Sequence, residues 1–126
     1  MKILRICATP DGESRLEEIE VPTDHTGPDR DSPTFMSRVY SSPNVRFVDV
    51  PNGLDSSWHH APARQIVTVL QGVLEVCTSD NRRHQWRAGE LLFADDLTGK
   101  GHMTRTVGGA ARLLIIQLPQ GLDSKE

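Results

Sequence analysis

Aromatic side chains are scarce in this chain: two Trp, three Phe and one Tyr among 126 residues. A core of this composition rests mainly on Val, Leu and Ile. Cysteine is scarcer still. Cys7 and Cys77 are far apart and share no CxxC spacing, which argues against a disulfide framework or a thiolate metal cluster. Both fall in strand-like segments and read as reduced, buried thiols of a cytoplasmic protein. Basic charge is not in excess. Fourteen Lys and Arg stand against seventeen Asp and Glu, for a net charge of −3, and the two signs are mixed along the chain. Without a basic stripe to neutralise phosphates, nucleic-acid binding is not expected. Apolar runs reach only about five residues, far short of a membrane span. The segment Met1-Lys2-Ile3-Leu4-Arg5-Ile6 meets charge too soon for a signal peptide. Sustained 3.6-residue periodicity is absent, so helices are not expected. No internal period suggests a repeat array.

What is present is a succession of short apolar or alternating segments broken by turns. Strands are expected over residues 2–8, 16–21, 35–40, 44–50, 64–70, 73–78, 84–87, 91–93, 102–107 and 112–118. Asp11-Gly12, Pro51-Asn52-Gly53, Ser79-Asp80-Asn81, Ala88-Gly89 and Gly108-Gly109 supply the breaks. Gln71-Gly72, between two of these strands, predicts a hairpin. Residues 22–34 are rich in Pro and Asp and hold no large apolar side chain, so a surface loop or a partly disordered stretch is expected there. Residues 120–126 read as a polar tail. The length predicts one domain over residues 1–126, and about ten short strands predict a sandwich or barrel.

Two stretches carry the chemistry. The first runs from Gly53 through Trp58-His59-His60-Ala61 and Arg64-Gln65 to Gly72; the second runs from Gly89 through Asp95-Asp96 to Gly99-Lys100-Gly101-His102. Together they resemble the paired signature of the cupin superfamily. In its first motif a Gly is followed by His-x-His, a Glu and a closing Gly. Gly53, His59 and Gly72 keep that spacing, while Ala61 stands where the second His belongs and Gln65 where the Glu belongs. A one-residue shift makes His60 the second His. In the second motif a Gly precedes Pro-x-Gly-x-x-His and an Asn. Gly89, Gly99 and His102 match, with a longer loop, Leu97 at the proline and Thr106 at the asparagine. The run Trp58-His59 to Arg64-Gln65 also looks like a subgroup of small single-domain bacterial cupins with no common assigned function. The resemblance covers roughly residues 44–118.

The resemblance implies an all-β, double-stranded β-helix, a jelly-roll barrel of antiparallel strands with a pocket inside. It also implies a divalent metal, Fe, Mn, Ni or Zn, with His59, His60, Gln65 and His102 as candidate ligands. An amide is a weaker donor than a carboxylate and leaves the ion's charge uncompensated. Without metal the same residues suit proton transfer, because an ordinary imidazole titrates near pH about 6.5. His59 or His102 is then the base, with Asp95 or Asp96 as orienting partner or acid. Lys100 and Arg64 are candidates to hold an anionic group. Trp58, Gln65, Gly99 and Gly101 are candidates to contact the ligand, the glycines by close backbone approach. The expected ligand is a small polar, carbonyl-bearing molecule. Lyase or isomerase chemistry leads, with a ligand-binding or sensor role and a metal-dependent dioxygenase as alternatives. Exposed edge strands near the N-terminus, which small cupins commonly cover by dimerising, imply a homodimer.

Overall fold

The computed structural model describes residues 1–26 and 34–123. These form eleven strands and no helix. In chain order they are β1 (Lys2–Ala8), β2 (Ser14–Glu20), β3 (His25–Thr26), β4 (Phe35–Met36), β5 (Val45–Val50) and β6 (Gln65–Gln71). Then follow β7 (Val73–Thr78), β8 (Arg83–Arg87), β9 (Leu91–Asp95), β10 (His102–Thr106) and β11 (Ala111–Gln117). A six-stranded sheet has the order β2-β1-β9-β6-β11-β5, a three-stranded sheet the order β10-β7-β8, and β3 with β4 makes a small ribbon. That ribbon begins in the stretch expected to be a surface loop or partly disordered; residues 27–33 and the tail residues 124–126 fall outside the described residues.

Alternation along the strands explains the layering. Val67 and Val69 of β6, Leu92 and Ala94 of β9, and Leu113 of β11 turn to one side, where they meet Leu74, Val76 and Trp86 of the smaller sheet. Phe93, Ile66 and Ile116, at the intervening positions, pack on the outer side with Ile3, Ile19 and Leu118. The strand β9 is therefore buried on both faces, which suits its run Leu91-Leu92-Phe93-Ala94. Both cysteines are free and buried. No helix among the described residues is long and apolar enough to cross a membrane.

Two expectations are corrected. The strands flanking Gln71-Gly72 do not form a hairpin: β6 pairs with β9 and β11, whereas β7 pairs with β8 and β10. The chain changes sheets at Gly72, whose φ of 82° and tight approach to the Ala110 carbonyl admit no side chain. Crossing there lets the inward residues of both strands face one another across the core. The sheets are also not wholly antiparallel, because β1 runs parallel to β9 from Leu4 opposite Leu92 to Cys7 opposite Asp95.

The outer face of the small sheet carries a clamped acid. Glu75 is 4% exposed, yet both its oxygens are engaged. Arg105 donates from Nε and Nη2 at 3.0 and 3.1 Å, Arg83 from Nη1 at 3.0 Å and Gln85 from Nε2 at 2.9 Å. The register puts Glu75 between Arg105 and Gln85 on adjacent strands. Hydrogen bonds led by Arg105 hold its carboxyl down at about 2 against an ordinary 4.5. A carboxyl lowered on folding stabilises the fold above its unfolded value and loses that contribution as pH falls toward the folded one. The change therefore lies between pH 4.5 and about 2. We expect Glu75→Gln to destabilise the protein by about 2 kcal/mol at neutral pH, below the cost of roughly 3–5 kcal/mol for a fully buried pair because both arginines are half-exposed. Its stability should also vary less with pH across that acid window. Urea unfolding at several pH values measures both, and an unchanged acid limb would count against the clamp.

Candidate functional site

Between the sheets lies a cavity of about 240 Å³. Twelve of its seventeen lining residues are aliphatic, among them Val67, Leu74, Val76, Leu92, Leu113 and Ile115. The polar lining is Ser56, His59, Gln65, His102 and Thr104. These five sit together because of local pairing. His59 and His102 form an isolated bridge, each backbone N–H donating to the other's carbonyl at 3.0 and 2.9 Å. Three residues earlier, Ser56 donates its N–H to the Thr104 carbonyl at 2.8 Å and accepts the Thr104 N–H on Oγ at 2.9 Å. Gln65 opens β6 opposite Ala94.

The bridge brings the two imidazoles together, with ring centroids 4.5 Å apart and planes tilted by 57°. His102 is buried, and its Nδ1 lies 2.5 Å from Oδ2 of Asp96, which is 0% exposed. A carboxylate accepts only, so this contact puts the proton on Nδ1 and leaves Nε2 as the nitrogen able to accept from a ligand. Asp96 is itself fixed by its carbonyl, which accepts the Ala61 N–H at 3.1 Å. Its Oδ1 is buried without a hydrogen-bond partner. His59, nearer the solvent, has Nδ1 2.9 Å from the Ser57 carbonyl and 3.4 Å from Ser56 Oγ. Its Nε2 is left to accept in the same way.

Other sequence candidates lie elsewhere. Residues flanking an inward His59 point outward, so Trp58 is 45% exposed and off the cavity wall, and exposed His60 meets the Gly99 carbonyl through Nε2. His60 is thus not beside His59 and His102 as a third donor. Asp95 ends β9 on the face opposite Ala94 and pairs with Arg64 at 2.8 Å and Arg5 at 3.7 Å. Arg64, in the bend just before β6, points outward to Asp95, while Gln65, the first residue of β6, points in. Lys100 pairs with Glu13 at 2.5 Å and gives its N–H to the Gly12 carbonyl at 2.8 Å. The loop bearing Gly99 and Lys100 therefore docks on the β1–β2 turn. A Cβ on Gly99 would come within 2.6 Å of the Gly12 carbonyl oxygen.

Gly101 serves the site through the backbone. Its φ is 74°, and a Cβ there would drive into the His59 carbonyl. We expect Gly101→Ala to cost more than about 2 kcal/mol, from left-handed strain plus the clash. It should also separate the two imidazoles. Denaturant unfolding and loss of the nuclear Overhauser contacts between the rings are the measurements; an intact ring contact would show that the bridge tolerates the side chain.

The residues do not fit a resident metal. A carboxylate behind an imidazole supports a metal ligand as well as a base, so the donor set has to decide. Among the described residues no group of three or more His, Cys, Asp and Glu is placed to hold an ion. The cavity offers two imidazoles and the Gln65 amide, all without an anionic charge, and Asp96 is engaged on the Nδ1 side of His102.

Sequence reasoning missed Ser56 and Thr104. Hydroxyls in a loop and a strand carry no signal of their own; their distance from the two histidines, three residues before His59 and two after His102, is the available clue.

No protein-family model matches the chain, and no curated protein sequence matches it. Solved structures do. An RmlC-like cupin family protein with a double-stranded β-helix fold, from Methanocaldococcus jannaschii, is similar with a TM-score of 0.52 and 12% identity, over 75% of this chain and 89% of that one. A cupin-2 domain containing protein from Shewanella frigidimarina is similar with a TM-score of 0.46 and 23% identity, over 59% of this chain and 68% of that one. The class of architecture is therefore the all-β double-stranded β-helix. The chain shares this fold with the RmlC-like cupin, and the likeness is one of fold.

Proposed function

We propose that the chain is a small-molecule enzyme that moves a proton without a metal, with the Asp96–His102 pair as general base. The carrying observation is the 2.5 Å contact between buried Asp96 and His102 at the wall of a barrel cavity. The reaction class is lyase or isomerase. Nε2 of His102 takes a proton from a carbon beside a carbonyl, and the electron pair moves into an enolate whose oxygen meets a donor such as the Gln65 amide. His59, with its Nε2 able to accept and its ring against His102, relays the proton back to the product or to a departing group. A positioned base of this kind supplies roughly 10²–10⁴-fold.

A substrate-independent assay tests this. Small carbonyl compounds are incubated with the protein in D2O, and α-deuterium uptake is followed by NMR. Uptake that resists chelators and is lost in His102→Gln supports the reading. Uptake that needs added metal overturns it. Compounds that bind without exchanging would leave a non-catalytic binding protein.

A further inference from the structure

Resting on the reading of the barrel cavity as the ligand site, we infer that its ligand is an uncharged molecule of about ten non-hydrogen atoms, mostly apolar, with one hydrogen-bonding end. The motif resemblance suggests a polar ligand; the lining favours a different one.

Charge comes first. None of the lining residues is Lys, Arg, Asp or Glu. The cations nearest in sequence to lining residues are used outside the cavity: Arg5 and Arg64 on Asp95, Arg105 on Glu75, Arg112 on Asp49 and Lys100 on Glu13. The formal charge directly behind the wall is the Asp96 carboxylate, which repels an anion. A carboxylate or phosphate placed inside would lose its hydration with no Lys or Arg to replace it, and an unpaired charge cannot be buried cheaply. A cation would meet imidazoles and alkyl groups but no lining carboxylate.

Four of the five polar lining residues, Ser56, His59, His102 and Thr104, belong to one paired stretch, residues 56–59 against 102–104, and the fifth, Gln65, opens β6 opposite Ala94. His59 is exposed, which marks this end as the mouth. The buried walls are Val67, Leu74, Val76, Leu92 and Leu113. A sugar would bring a ring of hydroxyls, most of them facing alkyl side chains, and each unpaired hydroxyl is penalised. A molecule with one carbonyl or hydroxyl end and an alkyl or aryl body leaves nothing unpaired. Size follows from volume. A dry cavity of about 150 Å³ accepts benzene, so 240 Å³ holds about ten non-hydrogen atoms by proportion.

The test compares isosteres that differ in charge. 4-Methylacetophenone and 4-methylbenzoate have the same size and shape, one a neutral ketone and the other an anion; glucose serves as the polar probe. Binding is measured by calorimetry and saturation-transfer NMR on the full chain and on its variants. Ala94 lines the cavity and is 3% exposed, so Ala94→Leu fills it. Ile115→Phe fills it from β11 and serves if the first does not fold.

We expect the ketone to bind at least about 100-fold more tightly than the anion and to lose binding in the filled variant. Benzoate or glucose binding as tightly as the ketone would overturn the inference, as would no ketone binding at all. Ketone binding to the unsubstituted chain is read by calorimetry without proton transfer, so failure of the acid–base reading and failure of the ligand class are separable.

Discussion

Carrying both Ala61→His and Gln65→Glu, the chain is expected to take up one divalent ion per molecule, roughly a thousandfold more tightly than the unsubstituted protein. Both positions line the cavity beside His59 and His102. They are also the positions at which the sequence departs from the His-x-His and Glu of the motif it resembles. The double substitution would bring the donors to three imidazoles and a carboxylate, adding the anion that the native set lacks. The opposite sign should appear without metal. The carboxylate introduced at position 65 would then stand in a largely aliphatic space, unpaired and costly to bury. The doubly substituted apoprotein should therefore melt below the native protein, and manganese or nickel should raise its melting temperature by mass action. Calorimetry, elemental analysis and thermal unfolding with and without metal are the measurements. Tight, stoichiometric binding by the unsubstituted chain would overturn the reading of its donor set.

Asp96→Asn is expected to slow α-proton exchange by about 10²–10⁴-fold while leaving the fold intact. The shape is nearly unchanged, so the effect comes from hydrogen-bond polarity. The carboxylate accepts from Nδ1 and keeps Nε2 a base. An amide can instead donate to Nδ1, which moves the ring proton to Nε2 and turns an acceptor into a donor at the cavity wall. The unpartnered Oδ1 matters here, because either amide orientation leaves one polar group in a buried place. Nitrogen-15 chemical shifts of the His102 ring read the tautomer directly, and deuterium uptake reads the consequence. An unaltered tautomer with unaltered exchange would remove Asp96 from the mechanism.

Much of this molecule is legible in its sequence, for reasons that differ by element. Residues 2–8 and 73–78 are strands with the expected bounds, because turns border short apolar segments. His59, Gln65 and His102 reach one cavity because glycine-bounded spacing fixes their place in the barrel. Asp95 and Asp96 are indistinguishable by type. Their separation is geometric: Asp95 ends a strand facing Arg64, and Asp96 turns inward at the next residue. Adjacency alone draws Trp58 and His60 toward the site, but a bridge admits one inward residue in such a run. The switch of sheets at Gly72 and the parallel pairing of β1 with β9 leave no local trace. Both are set by partners dozens of residues away, which alternation cannot name.

That parallel pairing also governs how the chain assembles. Leu4 finds Leu92 as its partner, and the loop between them must close at an entropic cost that rises with its length. During synthesis β1 and β2 emerge as a two-stranded ribbon that is marginal by itself. There β1 waits for β9 before gaining a second neighbour and β2 stays at the edge, while β6 waits for both β9 and β11. The barrel cannot be zipped from one end. With so many of its pairings non-local, refolding in milliseconds to seconds, slow for so small a chain, is the expected result.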